Sequence, residues 1–213
     1  LKKIIHMKLA QLPRDALLKP LQAVTGIVER RHTLPILSNV LIERTADGLR
    51  FVATDLELQI ATSCSLDKKG GEPLAVTVSA RKLVDILRAL PDDSEVTLEV
   101  ANNRLQVKAG KSRFNLQTLP AADFPALADP GKPQSNLQIS QGVARKLLGL
   151  VQYAMAQQDI RYYLNGLLLI TEDKEIKVVA TDGHRLSYAV TGLKDKQDKS
   201  EVILPRKAIL ELA

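Results

Sequence analysis

Two stretches of the sequence repeat one pattern: Ser38-Asn39-Val40-Leu41-Ile42 leads through a short hairpin into Phe51-Val52-Ala53-Thr54-Asp55, and Leu164-Asn165-Gly166-Leu167-Leu168 leads in the same way into Val178-Val179-Ala180-Thr181-Asp182. The offset between the copies is 126 residues at the first element and 127 at the second. One extra residue in the second hairpin accounts for the difference, and hairpin tips tolerate insertions. The pattern predicts one structural unit used twice.

Matching helical patterns flank both stretches. Upstream, apolar residues spaced i, i+4, i+7 and i+11 predict one face of an amphipathic helix in each copy. These residues are Leu17, Leu21, Val24 and Val28 in the first copy, and Val143, Leu147, Leu150 and Ala154 in the second. Downstream, residues 79–83 match residues 204–208, and Pro205 suits the first turn of a helix. The predicted helical segments are residues 13–31, 79–90, 140–156 and 205–213.

Each unit therefore reads strand, helix, about three strands, helix. The first copy then adds three strands, Glu95–Val100, Arg104–Ala109 and Ser112–Leu119, joined by turns that suit hairpins. The predicted domains are residues 7–119, a linker rich in Pro and Gly over residues 120–134, and residues 135–213, a second domain that stops before its closing strands. Residues 1–6 precede Met7 and are interpreted as a leader or an added remnant. The natural protein is expected to be longer.

The composition restricts the class of protein. Hydrophobic residues make up 45% and charged residues 25%, as in a globular chain, and no apolar run reaches the ~18–20 residues that cross a bilayer. Cys64 stands alone, so it has no partner for a disulfide within the chain, and a reducing, cytoplasmic setting is expected. We interpret Cys64 as a small strand residue.

Positive charge is concentrated in the predicted helices. The whole chain has a net charge of +6, whereas the four helical segments hold seven more basic than acidic residues. Helices that share one face would present a basic stripe suited to a phosphate backbone. Aromatic residues are only 3% of the chain and no zinc-finger spacing occurs, so we expect contact with the DNA backbone without reading of bases.

Several segments together resemble the beta subunit family of bacterial DNA polymerase III, the beta sliding clamps. These segments are Leu17 to Gln22, Thr33 to Leu37, Ser112 to Phe114, Thr118 to Pro125, Gln158 to Gly166 and Thr181 to Leu186. The resemblance implies an α+β DNA clamp fold in which antiparallel sheets form the outside and two helices per domain line a central hole. It also implies a non-catalytic processivity factor that needs no metal or cofactor. Two full-length chains are expected to join head to tail as a homodimer around double-stranded DNA. The expected protein partners are polymerases, including the DNA polymerase III catalytic subunit, the clamp loader and repair proteins. Because the resemblance implies three similar domains in each chain, the third clamp domain is expected to be absent from these residues.

The resemblance also implies roles for individual residues. Positions facing DNA are Arg31, Arg81, Lys82, Gln158, Arg206 and Lys207, and Arg30 is added for its charge, although the matching family position is not reliably basic. One side of a pocket for short hydrophobic motifs is formed by Leu164, Thr181, Gly183, His184, Arg185 and Leu186, with Tyr163 as the gate residue beside it. The strand containing Arg113, Phe114 and Leu116 is expected to pair with the partner chain of a dimer.

Three other interpretations of the sequence are possible. Asp182 and His184 could form an acid–base or metal pair, but no third ligand is evident nearby, and a Thr-Asp pair after a strand is a good turn former. Gly70-Gly71 lacks the frame of a phosphate-binding loop and is interpreted as a hairpin tip. A protein-docking scaffold without a DNA role remains open, and salt dependence of DNA binding would separate it from a clamp.

Overall fold

The computed structural model describes residues 7–28, 34–66, 72–125, 127 and 136–212. The chain divides into two compact units, Leu1–Asp129 and Pro130–Ala213, and the division falls inside the predicted linker. Each unit combines antiparallel strands with two α-helices, so the predicted α+β class is confirmed. In the described part of the chain, no helix is long and apolar enough to cross a membrane.

The first unit is built on one eight-stranded antiparallel sheet with the order β1-β6-β7-β8-β5-β2-β3-β4. Its strands are β1 Met7–Pro13, β2 Asn39–Arg44, β3 Gly48–Thr54, β4 Gln59–Ser65, β5 Leu74–Ser79, β6 Glu95–Ala101, β7 Arg104–Ala109 and β8 Ser112–Leu119. The two closing strands β7 and β8 have the predicted bounds, and β6 is one residue longer than predicted. Buried residues alternate along β7, as the period of a strand with one covered face requires.

Two helices, α1 Arg14–Thr25 and α2 Ala80–Ala89, pack on this sheet. The predicted face of α1 is confirmed, because Leu17, Leu21, Val24 and Val28 are all buried in the core. The helix itself ends at Thr25 and not at residue 31; Gly26, a poor helix former, follows it. The guanidinium of Arg14 joins the two helices by donating from Nε to the carbonyl of Leu87 at 2.7 Å.

The start of the predicted linker is part of the first unit. A 3₁₀ helix over Ala121–Asp123 follows β8 and places Phe124 against Leu41 and Val52. Phe124 is buried, and it covers the face of β2 and β3 that the two helices leave open. The expectation of a linker beginning at residue 120 is therefore wrong for these first residues, because a large aromatic side chain pins them to the sheet.

The second unit contains α3 Gln141–Val151, two long strands, β9 Gly166–Thr181 and β10 Leu186–Pro205, and α4 Arg206–Leu212. The separate strands that the repeat predicts are here continuous in β9 and β10, which pair from Leu186↔Thr181 to Pro205↔Gly166. The register shifts on both sides of Gln197, and Asp173 opposite it has a φ of 51°, so a left-handed residue interrupts the ribbon where the repeat predicts a hairpin. Residues 136–140, where the repeat predicts a first strand, are not strand.

The predicted face of α3 is half wrong. Leu147 and Ala154 are buried, but Val143 and Leu150 are exposed. The helix instead turns Leu147, Leu148 and Val151 toward β9 and β10, since the narrow two-stranded ribbon covers only this stripe. The helix also ends at Val151, and a 3₁₀ turn over Gln152–Ala154 follows it.

Candidate functional site

The tip between β9 and β10 is a turn held by the side chains of Thr181 and Asp182. The hydroxyl of Thr181 donates to the carbonyl of Arg185 at 2.7 Å and accepts from the backbone N–H of Gly183 at 3.1 Å. One carboxylate oxygen of Asp182 accepts from the backbone N–H groups of His184 and Arg185, both at 3.0 Å. These bonds lower the pKa of the Asp182 carboxyl. The carboxylate therefore serves the turn, which confirms its interpretation as a turn former.

The first unit repeats this turn bond for bond between β3 and β4. Thr54 donates to the carbonyl of Leu58 at 2.7 Å and accepts from the N–H of Leu56 at 3.1 Å. Asp55 accepts from the N–H groups of Glu57 and Leu58 at 3.1 and 2.9 Å. The third turn residue has a positive φ in both copies, 79° at Leu56 and 88° at Gly183. The two tips therefore share a backbone and differ only in the side chains they display.

The side chains displayed by the second tip are predicted pocket residues. Gly183, His184 and Arg185 are exposed, and Leu186, the first residue of β10, leaves 65% of its surface in solvent. An exposed leucine beside a rigid polar turn is a suitable contact for an apolar partner group. The guanidinium of Arg185 is held on two sides, by Asp182 at 2.9 Å and by the ring of Tyr153 at 5.5 Å.

The other predicted pocket residues precede β9. Tyr163 and Leu164 lie in a 3₁₀ helix over Tyr162–Leu164, where Leu164 is buried and Tyr163 is half exposed. The rings of Tyr162 and Tyr163 meet edge to face with centroids 5.8 Å apart. Leu164 is tied to the end of the α3 segment because its carbonyl accepts from the N–H of Ala156 at 3.0 Å.

A cleft of about 380 Å³ brings together residues that the sequence assigned to different tasks. It is lined by His184 and Arg185 of the predicted pocket and by Gln158 and Arg206 of the predicted DNA face, together with Tyr153, Met155, Ala156, Gln157, Asp159 and Asp182. Thr181, Gly183 and Leu186 do not line this cleft. Arg206 is fixed at its wall, because its guanidinium donates to the carbonyl of Met155 at 3.3 Å.

Four of the predicted DNA-facing residues occupy equivalent places in the two units. Arg81 and Lys82 lie in the first turn of α2, after β5, and Arg206 and Lys207 lie in the first turn of α4, after β10. Arg81 also donates to the carbonyl of Val28 at 3.1 Å. Arg30 and Arg31 lie outside the described residues, as do Gly70 and Gly71, the predicted hairpin tip.

The predicted dimer strand β8 is free along most of one edge. It pairs with β7 from Ser112 to Gln117 and with β5 only at Thr118 and Leu119, so its other edge has no strand partner from Ser112 to Gln117 among the described residues. Arg113 is exposed there, Phe114 is half-buried and Leu116 is buried. A groove of about 530 Å³ follows this edge and is lined in part by Leu116 and Lys82. The dimer role of the strand stays a prediction.

Other candidate chemistry finds little support in the described residues. Among them, no group of three or more His, Cys, Asp or Glu side chains is placed to hold a metal ion. Cys64 lies half-buried in β4, as expected of a strand residue, and burial raises the pKa of its thiol, which disfavours the reactive thiolate.

A second polar group lies beside the turn, and its residues are not among the predicted site residues. Asp159 and Arg161 form a bidentate ion pair, with Nε and Nη2 of Arg161 at 2.9 and 2.8 Å from the two carboxylate oxygens. Asn165 secures the loop, because its side chain accepts from the N–H of Asp159 at 2.9 Å and donates to its carbonyl at 2.8 Å. The ion pair lowers the pKa of Asp159 to about 2. In the sequence, this ion pair is indicated by the Asp-x-Arg spacing of Asp159 and Arg161, shortly before the repeated residue Asn165.

Comparison with known proteins assigns the chain to a family. Residues 7–128 match the model of the DNA polymerase III beta subunit N-terminal domain, and residues 138–213 match that of its central domain. A beta sliding clamp of Pseudomonas putida is 48% identical over 204 residues, which are 95% of this chain and 55% of the relative. The chain thus spans about half the length of the curated relatives it matches.

Solved structures give the same result. The DNA polymerase III subunit beta of Pseudomonas aeruginosa has a TM-score of 0.89 and 47% identity, covering 98% of this chain and 56% of that one. A sliding clamp of the same organism, bound to griselimycin, has a TM-score of 0.88 and 46% identity, covering 99% and 56%. With both domain models matched in order, the chain belongs to the DNA polymerase III beta subunit family.

Proposed function

We propose that this chain is part of a ring-shaped sliding clamp, the processivity factor of bacterial DNA replication. The full-length protein encircles duplex DNA without base specificity as a head-to-tail homodimer in the cytoplasm. It is a non-catalytic accessory subunit of the DNA polymerase III holoenzyme. It tethers the polymerase, the clamp loader and repair proteins through a pocket for short hydrophobic motifs. The relatives named beta sliding clamp support this proposal, as does the griselimycin-bound clamp, in which a ligand is held.

The observation that carries the DNA role is the repeated basic pair at the start of a helix. The positive end of the helix dipole lies at the N-terminus, where a cation typically costs about 0.3–1 kcal/mol. The first turn of α2 nevertheless holds Arg81 and Lys82 and no acid, and α4 repeats the arrangement with Arg206 and Lys207. The helix dipole does not favour these charges, so a polyanionic partner is the better account of their repetition.

The partner-binding role rests on the tip of the second unit. Leu186 is exposed beside a turn whose backbone is fixed by side-chain bonds, and the equivalent turn of the first unit displays Leu56, Glu57 and Leu58 instead. A rigid tip lowers the entropy that binding must overcome.

The DNA role is tested by replacing Arg206 and Lys207 with Ala in the full-length protein. We expect weaker retention on nicked circular DNA after loading, and a salt dependence of log K less steep by about 2 if both side chains neutralise phosphates. The matched control replaces Lys196 and Lys199, exposed cations on β10, with the same loss of charge. Unchanged retention and an unchanged slope would contradict the DNA role and favour a docking scaffold.

A further inference from the structure

The two turns described above differ at one place in what lies over their tip. In the second unit, a Cβ added to Gly183 would lie 3.2 Å from Nη2 of Arg161, and Nη1 and Cζ of the same guanidinium are within 4 Å. The guanidinium of Arg161 therefore lies next to the α-carbon of Gly183, on the side where a side chain would begin. In the first unit the equivalent of Gly183 is Leu56, and the repeat places Pro35 at the position of Arg161.

A glycine at position 183 could be required by its positive φ or by the lack of space for a side chain. A positive φ alone does not require Gly183, since Leu56 adopts nearly the same conformation in the same network of hydrogen bonds. What the second turn adds is the guanidinium, which leaves little room for a Cβ. The glycine at 183 and the arginine at 161 are thus sterically complementary. The first unit has neither residue at the equivalent positions.

The arginine is held in place by its own partners. Asp159 binds its guanidinium through both carboxylate oxygens and also accepts from its backbone N–H at 2.9 Å. The side chain of Asn165 binds both the N–H and the carbonyl of Asp159, and the carbonyl of Asn165 accepts from the backbone N–H of Arg206 at 2.9 Å. The guanidinium is therefore connected through these hydrogen bonds to the start of β9 and of α4. Its orientation at the exposed tip is fixed by them.

We propose that Arg161, clamped by Asp159, is a positioning residue of the partner-peptide site, whose guanidinium rests on Gly183 and fixes the tip that presents His184 and Arg185. The proposal rests on the proposed partner-binding role of this turn. Glycine has more backbone freedom than any other residue, so the bonds of Thr181 and Asp182 alone restrain the apex less at Gly183 than the equivalent bonds do at Leu56. The guanidinium restrains the apex without adding bulk to it, so the tip is organised before a partner arrives.

The test uses the full-length protein and a fluorescein-labelled synthetic peptide that carries the short hydrophobic motif of the polymerase III catalytic subunit. Arg161→Ala is expected to weaken peptide binding about tenfold by anisotropy and to speed exchange of the His184 and Arg185 amides in the free protein. Arg161→Lys is expected to behave like the Ala variant, because an ammonium keeps the charge but has no flat, two-point contact with Asp159. Exchange in the buried core of the second unit should not change.

Gly183→Ala supplies the converse perturbation. It should weaken binding in the native background, and it should add less in the Arg161→Ala background, where the guanidinium no longer obstructs the new methyl group. Leu56→Ala, at the equivalent place in the first unit, is the matched control and should leave peptide binding unchanged.

The outcomes are distinguishable. Full peptide binding by Arg161→Lys would assign Arg161 a simple charge effect, and native binding and exchange in Arg161→Ala would leave it no positioning role; either result overturns the inference and leaves the proposed function standing. Failure of the native protein to bind the peptide would remove the proposed partner-binding role, and the inference with it.

Discussion

Substituting the two repeated threonines one at a time provides a test in which one unit is the control for the other. Thr54 and Thr181 make the same two hydrogen bonds, one donated to a carbonyl and one accepted from an N–H group. Valine has nearly the same shape without the hydroxyl, so each substitution removes both bonds while the β-branched side chain remains.

The expected cost differs between the two sites because their exposure differs. The hydroxyl of Thr54 belongs to a residue that is 1% exposed, and its two bonds to the N–H of Leu56 and the carbonyl of Leu58 are partly buried. At about 0.5–1.5 kcal/mol for each bond, Thr54→Val should cost about 1–3 kcal/mol. Thr181 is only half-buried, and water can replace part of what is lost, so Thr181→Val should fall at the lower end of that range.

The functional effects should run in the opposite order. Thr181→Val should loosen the tip that displays His184 and Leu186 and weaken binding of the polymerase peptide several-fold, whereas Thr54→Val should leave binding at the native level. The rigidity of each turn is measured by hydrogen exchange at residues 54–58 and 181–185. Denaturant unfolding measures stability, and fluorescence anisotropy measures peptide binding. Equal loss of binding in both variants, or native binding in Thr181→Val, would refute the assignment of recognition to the second turn.

Three further predictions concern the tip, the linker and pH. Leu186→Glu should abolish peptide binding in the full-length protein while the ring stays intact by sedimentation, whereas Val202→Glu, an equally drastic change at an exposed position far along β10, should bind normally. Phe124→Ala should cost about 3 kcal/mol in denaturant unfolding of the first unit, since a buried aromatic ring is removed from a small cluster; an unchanged midpoint would show that Phe124 does not hold the chain there. The pKa of Asp159 is lowered to about 2 and that of Asp182 is also lowered, so the bonds that they accept contribute fully above the ordinary carboxyl value of about 3.9 and are lost as pH falls toward the folded values. Amide protection at His184, corrected for intrinsic exchange rates, should therefore be constant from pH 8 to pH 5 and decline only below about pH 4; a decline above pH 5 would contradict it.

Local patterns predicted the parts of the fold that local physics determines. The buried face of α1 and the bounds of β7 and β8 follow from side-chain periodicity and from hairpin turns, and both appear in the structure as predicted. The face of α3 does not, because which of its apolar residues are buried depends on how much sheet lies beneath the helix. Periodicity reports that a helix is amphipathic but not how wide its neighbour is.

The site was predictable to a similar limit. The Thr-Asp turn could be recognised from its residue types, and the resemblance supplied the tip residues His184 to Leu186. The Asp-x-Arg spacing indicates the Asp159–Arg161 pair, but its contact with Gly183 could not be deduced, because that contact joins separate segments of the chain and depends on a glycine having no side chain. The packing of Phe124 was not predicted either, because a run rich in Pro and Gly indicates a linker. The composition of that run does not show that one aromatic ring within it is buried.

Leu56 adopts a left-handed conformation that costs an L-residue about 1–2 kcal/mol, and it does so without the help of glycine. The hydroxyl of Thr54 and the carboxylate of Asp55 dictate the path of the chain, so the identity of the residues at the apex is left free. A turn of this kind is a fixed backbone frame that can carry different side chains at its apex. After a duplication, one copy of such a frame can acquire new chemistry at its apex by point substitution alone, while the strands on either side keep their register. The same property makes the first unit of this protein a natural scaffold on which to graft a second recognition tip.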